Sequence, residues 1–189
     1  DKVVTVLEKY SPLSEEGMTA DDILRVHGIK TYSQTLEWKG SLVYRIGSGN
    51  PIDSSVNLFG TVLNAQPLEQ AAPTAVPGIR RVMLIENKAN YESMDFRADT
   101  LYIYCHGFFS PKELQFLSAL TAIADNDTEY LHWGDMDLGG IRIFLYNQRK
   151  LFPALKPYRM DTDDYEAAVA GGAGIPLKKE KREKLQKRD

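Results

Sequence analysis

A single cysteine, Cys105, stands in the 189 residues, which excludes an internal disulfide and fits a reducing compartment. No apolar run approaches the roughly 20 residues needed to cross a bilayer, and no charged-then-apolar leader opens the chain. There is no excess of basic charge either. Lys and Arg number 23 against 26 Asp and Glu, for a net −3, so the whole chain lacks the signature of a nucleic-acid-binding protein. Repeats and low-complexity tracts are absent before about residue 78. The chain begins at Asp1 without a methionine, which reads as a piece excised from a longer protein. A soluble cytoplasmic protein with no membrane partner is expected.

What is present is enough chain for one good-sized domain, which buries roughly 70% of its extended surface. Charge is unevenly spread: residues 178–189 hold seven Lys and Arg against three acids, leaving −7 on the remainder. Such a tail either steers toward phosphate or is a solvated helical end. Residues 1–78 read as a small α+β unit. They open on a short strand-like or helical run. A capping box at Thr19-Ala20-Asp21-Asp22 then starts a helix that Gly28 stops. A strand, a turn at Lys39-Gly40 and a second strand follow between Thr35 and Ile46, and a further strand spans Val56–Leu63. Pro73–Gly78 (PTAVPG) is the strongest punctuation and marks the expected boundary.

Residues 79–162 are more regular. Val82–Ile85, Leu101–Cys105 and Tyr130–Trp133 are apolar runs of strand length, and Pro157–Asp161 is a fourth candidate strand. Ser110-Pro111-Lys112-Glu113 combines a capping box with proline at the first helical position. The helix behind it buries Phe116, Leu117, Leu120 and Ile123. Ile141, Phe144, Leu145, Leu151 and Phe152 stripe the next helix, which Pro153 ends. The alternation argues an α/β fold, Rossmann-like, with a mostly parallel sheet flanked by helices. Residues 163–189 form an acidic and glycine-rich segment with the basic tail, without an assignable role.

Ligands of an open parallel sheet sit beyond the carboxyl ends of its strands. The first strand delivers Glu86 there, and the third delivers Asp135 and Asp137. Two acids at one strand tip oppose each other's ionisation unless a cation or a shared proton relieves them. An all-oxygen set suits Mg²⁺ or Mn²⁺ rather than zinc, and magnesium bridges to phosphate oxygens. Gly139 and Gly140 let backbone approach such a phosphate at a helix N-terminus. Lys88, Arg142 and His132 are further candidates for phosphate contact. Their bland readings are solvated helix faces for the two cations and a satisfied sheet-edge histidine for His132. Cys105, Trp38 and Trp133 read as packing residues.

Leu84-Ile85-Glu86-Asn87-Lys88 and Asp135-Met136-Asp137-Leu138-Gly139-Gly140-Ile141 resemble the two motifs of the TOPRIM domain, in its branch near the topoisomerase VI A subunit. The runs Ile85-Glu86-Asn87-Lys88-Ala89-Asn90-Tyr91, and His132-Trp133-Gly134-Asp135 through Gly139-Gly140-Ile141-Arg142-Ile143, are most similar to the C-terminal domain of the Wadjet JetD family. The resemblance covers most of residues 20–162. It implies a TOPRIM catalytic domain at 79–162 and a Mg²⁺-dependent DNA endonuclease, with Glu86, Asp135 and Asp137 as catalytic metal ligands. Its implied partners are double-stranded plasmid DNA and an SMC-type motor complex of an anti-plasmid defence system, and a homodimer is expected. Two departures stand out. Leu138 replaces a usual proline, which loosens the turn. The winged-helix tyrosine domain used for covalent strand transfer is missing, and Tyr10 has no motif around it, so hydrolysis is favoured over transesterification. Two alternatives stay open. One is a phosphatase of the haloacid-dehalogenase type, disfavoured because D-x-D follows the third strand, although Asp161, Asp163 and Asp164 supply a downstream acidic cluster. The other is a non-catalytic domain that binds DNA or a partner.

Overall fold

The computed structural model describes residues 2–14, 20–29 and 35–172. The chain divides into two compact units, Asp1–Thr35 and Leu36–Asp189. In the first, α1 (Lys2–Tyr10) is in contact with α2 (Ala20–Val26). His27 bonds through Nδ1 to the Ile23 carbonyl at 2.7 Å and through Nε2 to the Ser11 hydroxyl. Gly28 takes φ +70° where α2 ends, and Ile29 N–H donates to Leu24 O at 2.9 Å. The Thr19 cap expected for α2 lies outside the described residues. No helix among the described residues is long and apolar enough to cross a membrane.

The second unit is α/β. Its strands are β1 (Leu36–Lys39), β2 (Val43–Ile46), β3 (Ile52–Asp53), β4 (Thr61–Leu63), β5 (Ala71–Ala75), β6 (Arg81–Ile85), β7 (Thr100–Tyr104), β8 (Glu129–Trp133) and β9 (Lys156–Pro157). Its helices are α3 (Ala65–Leu68), α4 (Lys88–Ser93), α5 (Pro111–Ser118), α6 (Leu120–Ile123), α7 (Leu138–Lys150) and α8 (Thr162–Ala170). One six-stranded sheet has the order β4-β1-β7-β6-β8-β9, and a three-stranded antiparallel sheet has the order β3-β2-β5. Strands β7, β6, β8 and β9 run parallel, while β1 and β4 are antiparallel additions at one edge.

The two strands expected around Lys39-Gly40 form, but they join different sheets. Gly40 sits at φ +135°, and a Cβ there would lie 2.6 Å from the Thr100 carbonyl. The chain therefore turns hard against the start of β7, which only glycine permits. Beyond the turn β2 leaves for the smaller sheet. Because β1 and β4 hydrogen-bond into the same sheet as β6–β8, that sheet draws on both sides of Pro73–Gly78, and the division by contacts falls at residue 35/36 instead. Strand β5 runs through Pro73 and ends the small sheet, a place that tolerates a missing N–H. The expected strand over Val56–Leu63 is shorter, since Ser54–Val56 form a 3-10 turn with Asp53 as its cap.

Period-two alternation sorts the core. Val82, Leu84, Leu101, Ile103 and Tyr130 face Phe116, Leu117, Leu120 and Phe152. Met83, Ile85, Tyr102 and Leu131 face Tyr91 on the other side. Burial of all of Val82–Ile85 is what a parallel strand covered on both faces requires. A buried lysine ties the antiparallel edge to α4. Lys39 Nζ donates to Glu92 O at 3.3 Å and to Met94 O, capping the C-terminal end of that helix, and lies 5.5 Å from the Tyr91 ring centre.

Candidate metal and phosphate site

In the order β7-β6-β8-β9 the chain steps from β6 to one side and then crosses to the other, so the topological switch falls between β6 and β8. Glu86 follows β6 there, and Asp135 follows β8. The two strand ends are stitched together. Glu86 N–H donates to Trp133 O at 2.9 Å, and the Glu86 carboxylate accepts from Asp135 N–H at 3.4 Å. Burial lifts the Glu86 carboxyl above its ordinary range; the Asp135 N–H opposes this, and the charges of Asp135 and Asp137 add to it. The carboxylates are thus left in electrostatic tension, which is the condition a divalent cation relieves.

Asp137 is placed differently. It is the N-cap of α7, with Oδ1 accepting from Gly140 N–H at 2.9 Å. Leu138 takes the first helical position, where proline is favoured, and the helix forms without it. Among the described residues no three His, Cys, Asp or Glu side chains stand together as direct ligands of one ion. The donor chemistry nonetheless fits magnesium, which keeps several waters and takes one or two carboxylates plus substrate oxygens.

The glycines of the turn serve packing. A Cβ on Gly140 would lie 2.0 Å from the Asp135 carbonyl, and one on Gly139 would lie 3.0 Å from Asp137 Oδ1. Gly140 therefore lets α7 start directly over the strand tip. Gly134 has a comparable role that sequence reasoning did not single out. A Cβ there would fall 2.5 Å from Glu86 Oε2 and 2.8 Å from His132 Nε2.

The remaining expected residues are spread around this centre. Arg142 is exposed on α7. Lys88 begins α4 and pairs with Glu37 of β1, with its ammonium 4.4 Å from the Tyr104 ring centre. His132 is wholly buried, so it is not a surface contact for phosphate. Desolvation pulls its pKa down to about 4, which keeps the imidazole neutral. His106, two residues beyond β7, was not recognised as part of this edge. Its Nε2 donates to Glu113 Oε1 at 2.7 Å, and the second Glu113 oxygen accepts from Ser110 N–H at 2.7 Å. The bond to Glu113 raises the His106 pKa against the effect of burial. Burial would raise Glu113, but the bonds from His106 and Ser110 outweigh it and hold that carboxyl low. The available signal was the capping box itself, whose Glu113 is fully buried. Cys105 is a core residue, its thiol pushed up to about 12 by burial.

Residues 47–189 match the family described as Wadjet protein JetD, C-terminal. A curated relative, the Wadjet protein JetD of Bacillus cereus (strain Q1), is 39% identical over 93 residues, a stretch that is 48% of this chain and 23% of that protein. The chain therefore spans only a minor part of that relative's length. The resemblance read from Ile85–Tyr91 and His132–Ile143 holds at the level of this family.

Proposed function

The chain belongs to the Wadjet JetD C-terminal family, and from that premise we propose that it is a Mg²⁺- or Mn²⁺-dependent DNA endonuclease domain of the TOPRIM kind. It cleaves plasmid DNA as the nuclease part of a Wadjet-type SMC defence system. The observation that carries this reading is the meeting of Glu86 and Asp135 at the switch between β6 and β8, bonded to each other through the Asp135 N–H at 3.4 Å.

Glu86 and Asp135 supply direct carboxylate donors, and Asp137 acts from the start of α7. Glu86 and Asp135, with Asp137 nearby, would hold such an ion, which would supply charge neutralisation at a phosphate and acidification of water. The residues of the chain do the rest. The Asp135 N–H orients Glu86, and the Asp137 cap fixes the α7 N-terminus, whose partial positive charge faces the same strand tip. Lys88 and the exposed Arg142 border this edge and offer positive charge to flanking phosphates.

The test is incubation of the intact protein, with its partner subunits, on supercoiled plasmid in Mn²⁺. The expected outcome is nicking by the wild type and a rate at least about 10³-fold lower for Glu86→Ala, since loss of a metal ligand removes several kcal/mol of charge stabilisation. Equal nicking by both proteins would contradict the reading. Hydrolysis of small phosphomonoesters that Asp135→Asn abolishes would instead support the phosphatase alternative.

A further inference from the structure

Among the described residues, His132 is the only side chain with two buried polar atoms that lack any hydrogen-bond partner, Nδ1 and Nε2. Native interiors pair nearly all such groups, and each one left alone is destabilising. An apolar side chain would fill the same place beside Phe144, whose ring centre is 5.7 Å away, without that penalty. Packing therefore does not account for a histidine here.

Its position does. His132 is paired in register with Leu84, so Glu86, two residues beyond Leu84, lies on the same face of the sheet, as does Gly134, two residues beyond His132. The Nε2 of His132 and the Oε2 of Glu86 both border the small space beside the Gly134 Cα, at 2.8 and 2.5 Å from where a Cβ would stand. They are within one water-bridged hydrogen bond of each other. Any side chain at residue 134 would fill the space between them.

We propose that His132 is a positioning residue that acts through Glu86, its Nε2–H reaching the carboxylate across a bridging water and so favouring the orientation that receives the divalent cation. It touches neither cation nor substrate. Outer partners of this kind orient a ligand, and their loss weakens metal affinity by roughly 10–100-fold. The inference rests on Glu86 belonging to a metal site, as proposed above.

The test is calorimetric titration of the intact protein with Mn²⁺, alongside thermal unfolding in the absence of metal. His132→Leu is expected to unfold at the wild-type temperature or above, because two unpaired nitrogens are removed, yet to bind Mn²⁺ about 10–100-fold more weakly. His132→Gln, which keeps an N–H donor, is expected to recover part of that loss. His132→Met makes the same test with a more adaptable apolar side chain if the leucine variant does not fold. Wild-type Mn²⁺ affinity in the apolar variant, together with lost affinity in Glu86→Ala, would overturn the positioning role and leave the metal site standing. Wild-type affinity in Glu86→Ala as well would overturn both.

Discussion

On the β7 side of strand β6, the charged groups at the sheet edge find partners within the fold. Lys88 pairs with Glu37, His106 with Glu113, and Glu113 also takes the Ser110 N–H. On the β8 side the same edge is arranged in the opposite way. Glu86 faces the like charges of Asp135 and Asp137, and His132 lies buried with both nitrogens unpaired. The two histidines make the contrast sharpest, since Glu113 raises the pKa of one and burial lowers the other to about 4. A fold that resolves its charges on one flank and leaves them unresolved a strand away has marked the second flank for something from outside. The divalent cation and phosphate proposed above would supply the charges that this flank lacks.

The most severe way to break this contrast is to remove an acid from the unresolved flank. Glu86→Ala is expected to reduce plasmid nicking by about 10³-fold or more while leaving the unfolding temperature near wild type, because the change relieves repulsion among carboxylates. A plasmid assay and a thermal melt on the same preparations check both halves.

The glycines sharpen the comparison next. In Gly140→Ala the new Cβ meets backbone, the Asp135 carbonyl at 2.0 Å, so a destabilisation of about 1–3 kcal/mol is expected in urea unfolding. In Gly134→Ala it meets the ends of two side chains, Glu86 and His132. That variant is expected to lose Mn²⁺ affinity, since Glu86 must swing away, and to lose less stability than Gly140→Ala, since side chains rather than backbone must give.

Stability against pH separates the two histidines. His106 holds its proton more tightly in the folded chain than its ordinary 6.5. Its contribution is therefore complete below that value and is lost as pH rises through the higher folded pKa. His132 has the reverse sign. Between 6.5 and about 4 the unfolded chain takes up a proton that the folded chain refuses, so stability falls as pH drops through that window. The loss amounts to about 3 kcal/mol at its full extent. Urea unfolding at stepped pH should show this acid limb flattened in His132→Leu, with the alkaline limb retained. An unchanged acid limb would remove His132 as its source.

The smallest expected effects belong to the outlying cations. Arg142→Ala and Lys88→Ala should each weaken DNA binding about equally across sequences, lowering the salt-dependence slope by about 1. Lys88→Ala should also cost the fold less than about 1 kcal/mol, because the pair with Glu37 is partly exposed.

Much of this was legible in the sequence because it depends on local pattern. The apolar runs at Val82–Ile85 and Tyr130–Trp133 and the capping box at Ser110 each encode an element through period or end chemistry, and each formed. The helix after Asp137 formed too, but Gly139 and Gly140 lie inside its first turn and it ends at Lys150, short of the Leu151 and Phe152 expected on its stripe. The candidate site acids were read from the ends of successive apolar strand runs, without the lateral order of the strands. What escaped was non-local. Nothing around Gly40 announces that β1 and β2 join different sheets, because the reason is the Thr100 carbonyl sixty residues away. Strand β5 hid behind Pro73, which reads as a breaker unless its strand is known to end the sheet. His132 was read as a candidate for phosphate contact or as a satisfied sheet-edge histidine, and it is neither, since burial without a protein hydrogen-bond partner is decided by the packing of Phe144 of α7 against it. Gly139 and Gly140 were read as space for phosphate, whereas the close neighbours of their missing side chains are Asp137 and the Asp135 backbone.

The measurement that bears most directly on the central claim is anomalous diffraction from a crystal of the protein soaked in Mn²⁺. A manganese peak is expected at the switch between β6 and β8, within coordination distance of a Glu86 and an Asp135 oxygen. Asp137 would be reached directly or through water. A peak elsewhere, or a soaked crystal in which these carboxylates bind nothing at saturating Mn²⁺, would contradict the claim.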